Sequence, residues 1–589
     1  MIDRSRRLFI ASARFAALLV AGPAFCGCGG ERSSPDPPPR AVSKPAADPT
    51  PSPSGAEAGP FRFTDVTAAS GVDFVHVSGM TEEKLFPTAN GSGIALLDYD
   101  GDGRLDIYCA TGNSLPLAPS PKAANRLYRN LGGLRFEDVT EKSGTGFRGY
   151  CHGVLAGDID NDGDPDLFLS NFGANALLRN NGDGTFTDIG RASGVATEPN
   201  WSSSAAFLDF DRDGRLDIYV SRYGDWQYPR DHRFCGDPIK KIRRYCSPKE
   251  LTPVRHVLWR NRGDGTFEDA TEKAGIARAD GHGFAAVAAD LDGDSRVDLY
   301  VANDQDPNFL FLNEGNGRFR DATTDSGAGF DSKGQTQSGM GVEAEDMDGD
   351  GRPELFVTNF QEEPNTLYRN LGRGLFLDAT AYFGLAVDSL PWIGWGCSAA
   401  DLDRDGRPDL VVANAHIDDN ADLFGQPSQY AEPPLIYRNR DGKRFVLANR
   451  GAGDYFQEPH LGHAVVAGDL DDDGDLDLVF GHKDGPLNIL RNDTPGMGAW
   501  IRLSLEGRAS PRDAVGATLE VTVGGRTLHR LVKSGHGLMS SPDPRLLVGL
   551  GDATGTATVR VKWPSGRESV HEGLAPAESH RLVEPALGD

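Results

Sequence analysis

Short apolar runs of strand length recur along this chain, each broken by an acidic turn. Gly93-Ile94-Ala95-Leu96-Leu97 and Phe284-Ala285-Ala286-Val287-Ala288-Ala289 precede such turns, and Ile218-Tyr219-Val220 and Leu478-Val479-Phe480 follow them. Runs this short suit strands, since a helix needs a longer amphipathic stretch to bury one face. The acidic turn is thus a strand–turn–strand connection. A second marker comes later in each period, as in Asn180-Asn-Gly-Asp-Gly-Thr-Phe186-Thr-Asp188 and Asn261-Arg-Gly-Asp-Gly-Thr-Phe267-Glu-Asp269. Its Gly-Asp-Gly core predicts a tight hairpin, because glycine accepts positive φ, and the aromatic after it opens another strand.

One period therefore holds about four short strands in roughly 50 to 60 residues. Four-stranded sheets repeated many times close radially into a propeller, which protects their edges. The acidic turn occurs seven times. The expected fold is all-β: a seven-bladed β-propeller over residues 61–498, then a small C-terminal β domain over residues 499–585. In that second domain Thr518-Leu-Glu-Val-Thr-Val523 alternates with period two, and Pro564-Ser-Gly566 marks a turn. Wider spacing after the third and sixth turns predicts insertions at roughly 222–258 and 415–435. Whether residues 61–66 supply the strand that closes the ring stays open at this level.

The seven acidic turns share carboxylates at positions 1, 3, 5 and 9. They are Asp98, Asp100, Asp102 and Asp106; Asp158, Asp160, Asp162 and Asp166; Asp209, Asp211, Asp213 and Asp217; and Asp290, Asp292, Asp294 and Asp298. The rest are Asp346, Asp348, Asp350 and Glu354; Asp401, Asp403, Asp405 and Asp409; and Asp469, Asp471, Asp473 and Asp477. Such spacing gathers hard oxygen ligands around one point, position 7 can add a backbone carbonyl, and Gly at position 6 permits the bend. Calcium takes six to eight oxygens in irregular geometry, whereas magnesium demands a near-octahedral cage. Zinc and copper favour His and Cys, which these loops lack. An EF-hand is ruled out, since position 12 is Cys109, Leu169 or Val220 and no flanking helices are evident. Up to seven Ca²⁺ ions are expected. Two turns depart from the pattern: Ser295 replaces Gly and should resist a left-handed bend, and Glu354 has a longer reach than Asp.

Charge fits this picture. The net charge is −26, and 28 of the 86 acidic residues stand at positions 1, 3, 5 and 9 of the seven loops. Such acidity argues against nucleic acid, or an anionic membrane, as the main partner. The 73 Gly and 37 Pro suit turn-rich β structure.

Residues 1–28 predict export. Ser5-Arg6-Arg7-Leu8-Phe9-Ile10 resembles a twin-arginine signal, and the apolar stretch from Phe15 to Phe25 is shorter than the roughly 20 residues a membrane span requires. Phe25-Cys26-Gly27-Cys28 resembles a lipobox, so Cys28 is the candidate lipidation site; ordinary cleavage after Ala24 is the alternative. Any membrane association would run through that anchor alone. Residues 29–60 read as a Pro/Ser/Ala-rich tether. The expected location is the periplasm, cell surface or extracellular space. Cys235 and Cys246 are the expected disulfide there, and Cys109, Cys151 and Cys397, on apolar strands, are expected to be buried thiols.

At this point the chain resembles a known family. The seven loops are similar to the calcium-binding repeats of FG-GAP propellers, as in integrin α subunits, across roughly residues 61–498, without the literal Phe-Gly…Gly-Ala-Pro string. The terminal part resembles the ASPIC/UnbV domain of cartilage acidic protein relatives. The residues carrying this are Trp500-Ile-Arg-Leu-Ser-Leu, Arg512-Asp-Ala-Val-Gly516-Ala, Gly535-His-Gly-Leu-Met-Ser540-Ser541, Val548-Gly-Leu-Gly551 and Val559-Arg-Val-Lys-Trp563-Pro-Ser-Gly566. The resemblance implies an extracellular, calcium-dependent interaction role and names no ligand.

Three further features bear on function. The insertion at 222–258 interleaves Tyr223, Trp226, Tyr228, Phe234 and Tyr245 with Arg230, Arg233, Lys240, Lys241, Arg243 and Arg244. It could read an anionic glycan or a protein, or serve only as a disulfide-stapled lid. His152 and His463 each stand six residues before a loop, and with His76, His282 and His416 could line the channel as a transition-metal site or as structural histidines. Arg262-Gly263-Asp264 spells an integrin-recognition tripeptide but lies within the repeated turn. Gly-x-Ser-x-Gly, His-Glu-x-x-His and phosphate-loop signatures are absent. The leading expectation is an exported calcium-binding propeller that binds protein or carbohydrate. The alternative is a propeller oxidoreductase or hydrolase with a His/Asp metal site at the channel mouth.

Overall fold

The structure is a computed structural model, and it describes residues 59–117, 123–197, 200–425 and 429–586. The expected export signal, Cys28 and nearly all of the expected tether lie outside these residues.

Strands dominate, and they group into four-stranded units. Their inner strands are Ile94–Leu97, Cys151–Gly157, Asn200–Leu208, Gly283–Ala289, Val342–Glu345, Gly394–Ala400 and Gly462–Gly468. Each pairs antiparallel with the strand that follows its acidic loop. Neighbouring inner strands pack side by side, and Gly462–Gly468 packs against Ile94–Leu97, so the units close into a ring. An inner strand such as Gly283–Ala289 is buried at every position, with other blades on both faces. This explains continuous apolar runs where a one-sided sheet would alternate.

Residues 61–66 do close the ring. Phe63–Asp65 forms the outer strand of the last unit, paired antiparallel with Asn488–Asn492. Phe61 and Phe63 bury their rings beside Phe456, Phe480 and Leu490. First and last repeats are thereby joined without a covalent link.

The C-terminal domain packs two sheets around Ile501, Leu503, Leu519, Val521, Val559, Val561 and Trp563. One sheet sets Ala499–Glu506 between Leu546–Gly551 and Ser579–Val583; the other holds Arg526–Leu531, Thr518–Val523, Ala557–Lys562 and Glu568–Leu574. The domain sits on the propeller face that carries the acidic loops, where Arg512, Arg526, Arg530 and Arg545 reach loop residues.

The stretch between Arg526–Leu531 and Leu546–Gly551 leaves the domain and enters the propeller channel. Ser534 O accepts from Ala288 N (3.0 Å), Gly537 exchanges two backbone bonds with Val342 (2.7 and 2.8 Å), Met539 O accepts from Val154 N (2.9 Å), and Ser541 bonds Ile94 and Leu96 (2.8 Å each). Ser534 Oγ accepts from Phe207 N (3.1 Å) and Ser540 Oγ from Ile94 N (3.1 Å). Five inner strands therefore spend backbone groups on this plug. Gly535 has φ +77, and a Cβ there would lie 2.5 Å from Ala206 Cβ, so glycine is required. Lys533, at the start of the plug, is buried between Glu343 and Glu345 (2.9 Å each), and His536 Nδ1 meets Glu343 at 2.9 Å.

The other channel end is closed by a 3-10 turn, Phe86–Ala89. Phe86 meets Trp201 and Tyr223 edge-on at 5.4 and 5.7 Å. Tyr245, from the 222–258 insertion, bonds Thr88 Oγ1 at 2.9 Å, and Lys483 Nζ donates to Ala89 O at 2.9 Å.

Candidate metal centres in the acidic loops

Each loop joins an inner strand to the second strand, and its position 9 is the first residue of that second strand: Asp106, Asp166, Asp217, Asp298, Glu354, Asp409 and Asp477. The bend comes from left-handed residues at position 6, with φ between 68° and 105°. Ser295 corrects the expectation of resistance: it adopts φ 68, with its N–H on Asp290 Oδ2 at 2.8 Å. That hydrogen bond from position 6 to the first aspartate recurs in every loop, at 2.8 to 3.0 Å. It offsets the cost of a non-glycine residue in αL. Position 4 is left-handed as well, including Asn161, Arg212, Arg404 and Asp472, which the sequence did not signal.

In loops one, two, three and five, one carboxylate oxygen each from positions 1, 3 and 9 lies within 4.8 Å of the others; in loop four the group is Asp290, Asp292 and Asp294. Position 9 is fixed from two sides. One of its oxygens accepts the position-2 N–H, as Tyr99 N to Asp106 at 3.1 Å, and the other accepts an asparagine N–H from the third strand, as Asn130 N at 2.7 Å. Glu354 makes the same pair, from Met347 N at 2.9 Å and Asn370 N at 3.2 Å, so its extra methylene is accommodated.

Those asparagines have a second task that sequence reading missed. The side chains of Asn130, Asn180, Asn261, Asn313, Asn370, Asn439 and Asn492 donate to the position-2 carbonyl of the preceding loop, at 2.8 to 3.0 Å. Asn130 reaches Leu470, so this belt also runs across the junction of first and last repeats. The signal was present: an Arg-Asn pair lies at or near the end of the third strand in six repeats.

Arginines answer part of the loop charge. Arg104, Arg215, Arg296, Arg352 and Arg407, all at position 7, pair with position 5 of their own loops. Arg129, Arg260, Arg369 and Arg438 from third strands reach position 3 at 2.5 to 2.8 Å. These pairs make the mutual repulsion smaller than four bare carboxylates would produce. Positions 1 and 9 remain mostly on backbone donors. Burial pushes Asp158, Asp209, Asp346 and Asp401 up to about 7. It pushes Asp106 and Asp166 to about 8 and Glu354 to about 9. Burial thus favours the neutral carboxyl, and a close cation would restore the charged form.

Orphaned oxygens supply the fit test. Asp100, Asp211, Asp213, Asp401, Asp469, Asp471 and Asp475 each have a buried Oδ1 without a hydrogen-bond partner. Buried carboxylate oxygens rarely go unpaired in proteins, and an all-oxygen set suits a hard divalent ion. The loops therefore can hold such a cation.

The remaining candidates divide differently. His76 Nδ1 accepts from Asp484 N (3.2 Å) and its Nε2 bonds Ser92 (2.9 Å); His463 Nδ1 accepts from Gly91 N (2.9 Å). Their ring lone pairs are spent on backbone N–H groups. His282 is bracketed by Asp306 and Leu251 O, and His416 Nδ1 meets Asp418 N. His152 is buried against Tyr150 and Trp201 with neither ring nitrogen bonded. Burial drives His76 down to about 4 and His152 to about 3, so both are neutral.

Cys235 and Cys246 are bridged, and Cys109, Cys151 and Cys397 are buried thiols. In the insertion Arg230 pairs with Asp225 and Asp231, Arg233 with Glu250, Arg243 with Glu83 and Lys240 with Asp237. Four of the six interleaved basic groups are thus met by carboxylates, three of them within the insertion, while Tyr228, Phe234 and Ile239 stand exposed. Arg262 pairs with Glu268, and Asp264 caps its own turn through Thr266. The tripeptide there is turn chemistry.

Ring, loops and C-terminal sandwich define the class: this is an FG-GAP-like repeat protein carrying an ASPIC/UnbV domain. The FG-GAP-like repeat family matches residues 98–169, 158–220, 253–301, 290–357 and 346–412. The ASPIC and UnbV family matches residues 507–588. The chain is similar to cartilage acidic protein 1 of Mus musculus, at 29% identity over 536 residues, covering 85% of this chain and 74% of that protein. To the Homo sapiens protein of that name it is 27% identical over 549 residues, with the same coverage. Among solved structures, the BP39L lectin from Burkholderia pseudomallei aligns over 69% of this chain and 97% of its own, at TM-score 0.43 and 10% identity. Among the described residues no helix is long and apolar enough to cross a membrane.

Proposed function

We propose that this chain is an exported calcium-binding propeller that presents a protein- or carbohydrate-binding surface outside the cytoplasm. The carrying observation is the set of orphaned, buried carboxylate oxygens in the convergent loops. Oxygen-only ligands in an irregular cage favour calcium over magnesium or zinc. The Cys235–Cys246 bridge supports an oxidising compartment. The C-terminal domain covers the loop face, so the binding surface is the opposite one, where the insertion exposes Tyr228, Phe234 and Ile239. Exposed aromatic and apolar groups beside self-paired arginines fit a sugar face or a protein patch better than a polyanion.

The test has two parts. Elemental analysis of the purified mature chain should find calcium, up to seven ions, removable by EGTA. Glycan and surface-protein arrays should then give hits that Tyr228→Ala and Phe234→Ala abolish. A chain that binds no calcium, or hits untouched by those substitutions, would defeat this reading.

A further inference from the structure

We propose that the first aspartates of loops six and seven tie cation binding to docking of the C-terminal domain, so that the bound ions hold the plug in the channel. This rests on the reading of the loops as calcium sites.

In loops one to five, Oδ1 of the first aspartate accepts the position-5 N–H of its own loop, at 3.0 to 3.1 Å. Loops six and seven break that rule. Asp401 Oδ2 accepts from Gly406 N at 3.0 Å and from Gly549 N of the C-terminal domain at 3.1 Å. Asp469 Oδ2 accepts from Gly474 N at 3.0 Å and from the Arg502 guanidinium. In both, Oδ1 is buried and has no partner. Each carboxylate thus offers one oxygen to the domain and leaves the other for an ion. A carboxylate bridging a cation and a second group is held in one orientation by both.

Loop six grips both legs of the plug. From the strand before it, Arg526 donates to Asp405 O at 2.6 Å and Arg530 to Gly406 O at 3.2 Å. From the strand after it, Gly549 N reaches Asp401, and Gly551 N donates to Arg404 O at 2.9 Å. Loop seven adds Asp472, 3.0 Å from Arg502, and the Asp469 carbonyl, 3.1 Å from Arg545. All these acceptors lie on loop backbone or loop carboxylates, whose positions an ion would set. Without it, mutual repulsion among Asp401, Asp403 and Asp405 loosens the platform, and the legs lose their anchors together.

Hydrogen exchange of the full mature chain, in calcium and in EGTA, tests this. Amides of residues 533–545 should exchange at least about tenfold faster without calcium, in step with those of 401–409 and 469–477. Amides of Phe86–Ala89, at the other channel end, should not change. Deprotected loops with an unchanged plug would overturn the proposal while leaving calcium binding intact. A chain that takes up no calcium by elemental analysis would overturn the functional reading, and this proposal with it. The double variant Arg526→Gln, Arg530→Gln should expose the plug in calcium while binding the same number of ions. If its plug stays protected, the coupling is wrong.

Discussion

The two ends of the propeller channel are closed by opposite chemistry. At the loop-bearing end, a plug from a distant domain is held by backbone hydrogen bonds, a buried Lys533–Glu343–Glu345 cluster and arginines on loop oxygens. At the other end Phe86, Trp201, Tyr223 and Tyr245 close the channel mainly by aromatic packing, with a few hydroxyl bonds and the Lys483 ammonium on Ala89 O. Dispersion and burial need no ion, whereas clustered carboxylates do. One end should therefore answer to cations and the other to side-chain volume.

Calcium removal should produce the largest effect. Each ion present at a hundredfold its dissociation constant adds about 2.7 kcal/mol to stability, so losing several outweighs any single substitution. Thermal unfolding in calcium and in EGTA measures it, and an unchanged midpoint would dissolve the contrast between the ends. Next comes Trp201→Ala, which empties the buried aromatic cluster and should cost about 3–5 kcal/mol. Denaturant unfolding should find that loss equal with and without added calcium.

Lys533→Met strands two buried glutamates at the loop end and should cost a comparable or smaller amount, about 3 kcal/mol. The same cluster carries a pH signature. Burial raises the Glu343 carboxyl, yet His536 and Lys533 together hold it below the ordinary value. A depressed carboxyl stabilises above its unfolded pKa, about 4.3, and that stability fades as pH falls through the lower folded value. Unfolding below pH 4 should thus narrow the gap between Lys533→Met and the unmodified chain. The smallest effect is expected at Asn370→Ala, which removes one link of the asparagine belt and leaves Leu291 O without its partner. It should cost about 1–3 kcal/mol, and an equal cost at Asn439→Ala would mark the belt as a repeated device.

Legibility followed sequence distance. Positions 1, 3, 5, 6 and 9 of each loop lie within nine residues, so spacing alone exposed them. The Arg-Asn ending of the third strands recurs just as regularly. Its role stayed hidden because Asn180, for example, acts on Tyr99 O of the previous repeat. Ser295 misled for a related reason: propensity disfavours its left-handed backbone, but the Asp290 hydrogen bond prevails.

From its own residues, the chain dictated strand length, turn position and the gathering of carboxylates, since these depend on neighbours a few places apart. Folding in three dimensions settled the rest. It chose Phe63–Asp65 as the closing strand beside Asn488–Asn492, set arginines against positions 3 and 5, and sent residues 533–541 into the channel. The closing strand and the plug meet partners hundreds of residues away, the third-strand arginines meet loops tens of residues away, and the surfaces they recognise exist only once the strands have paired.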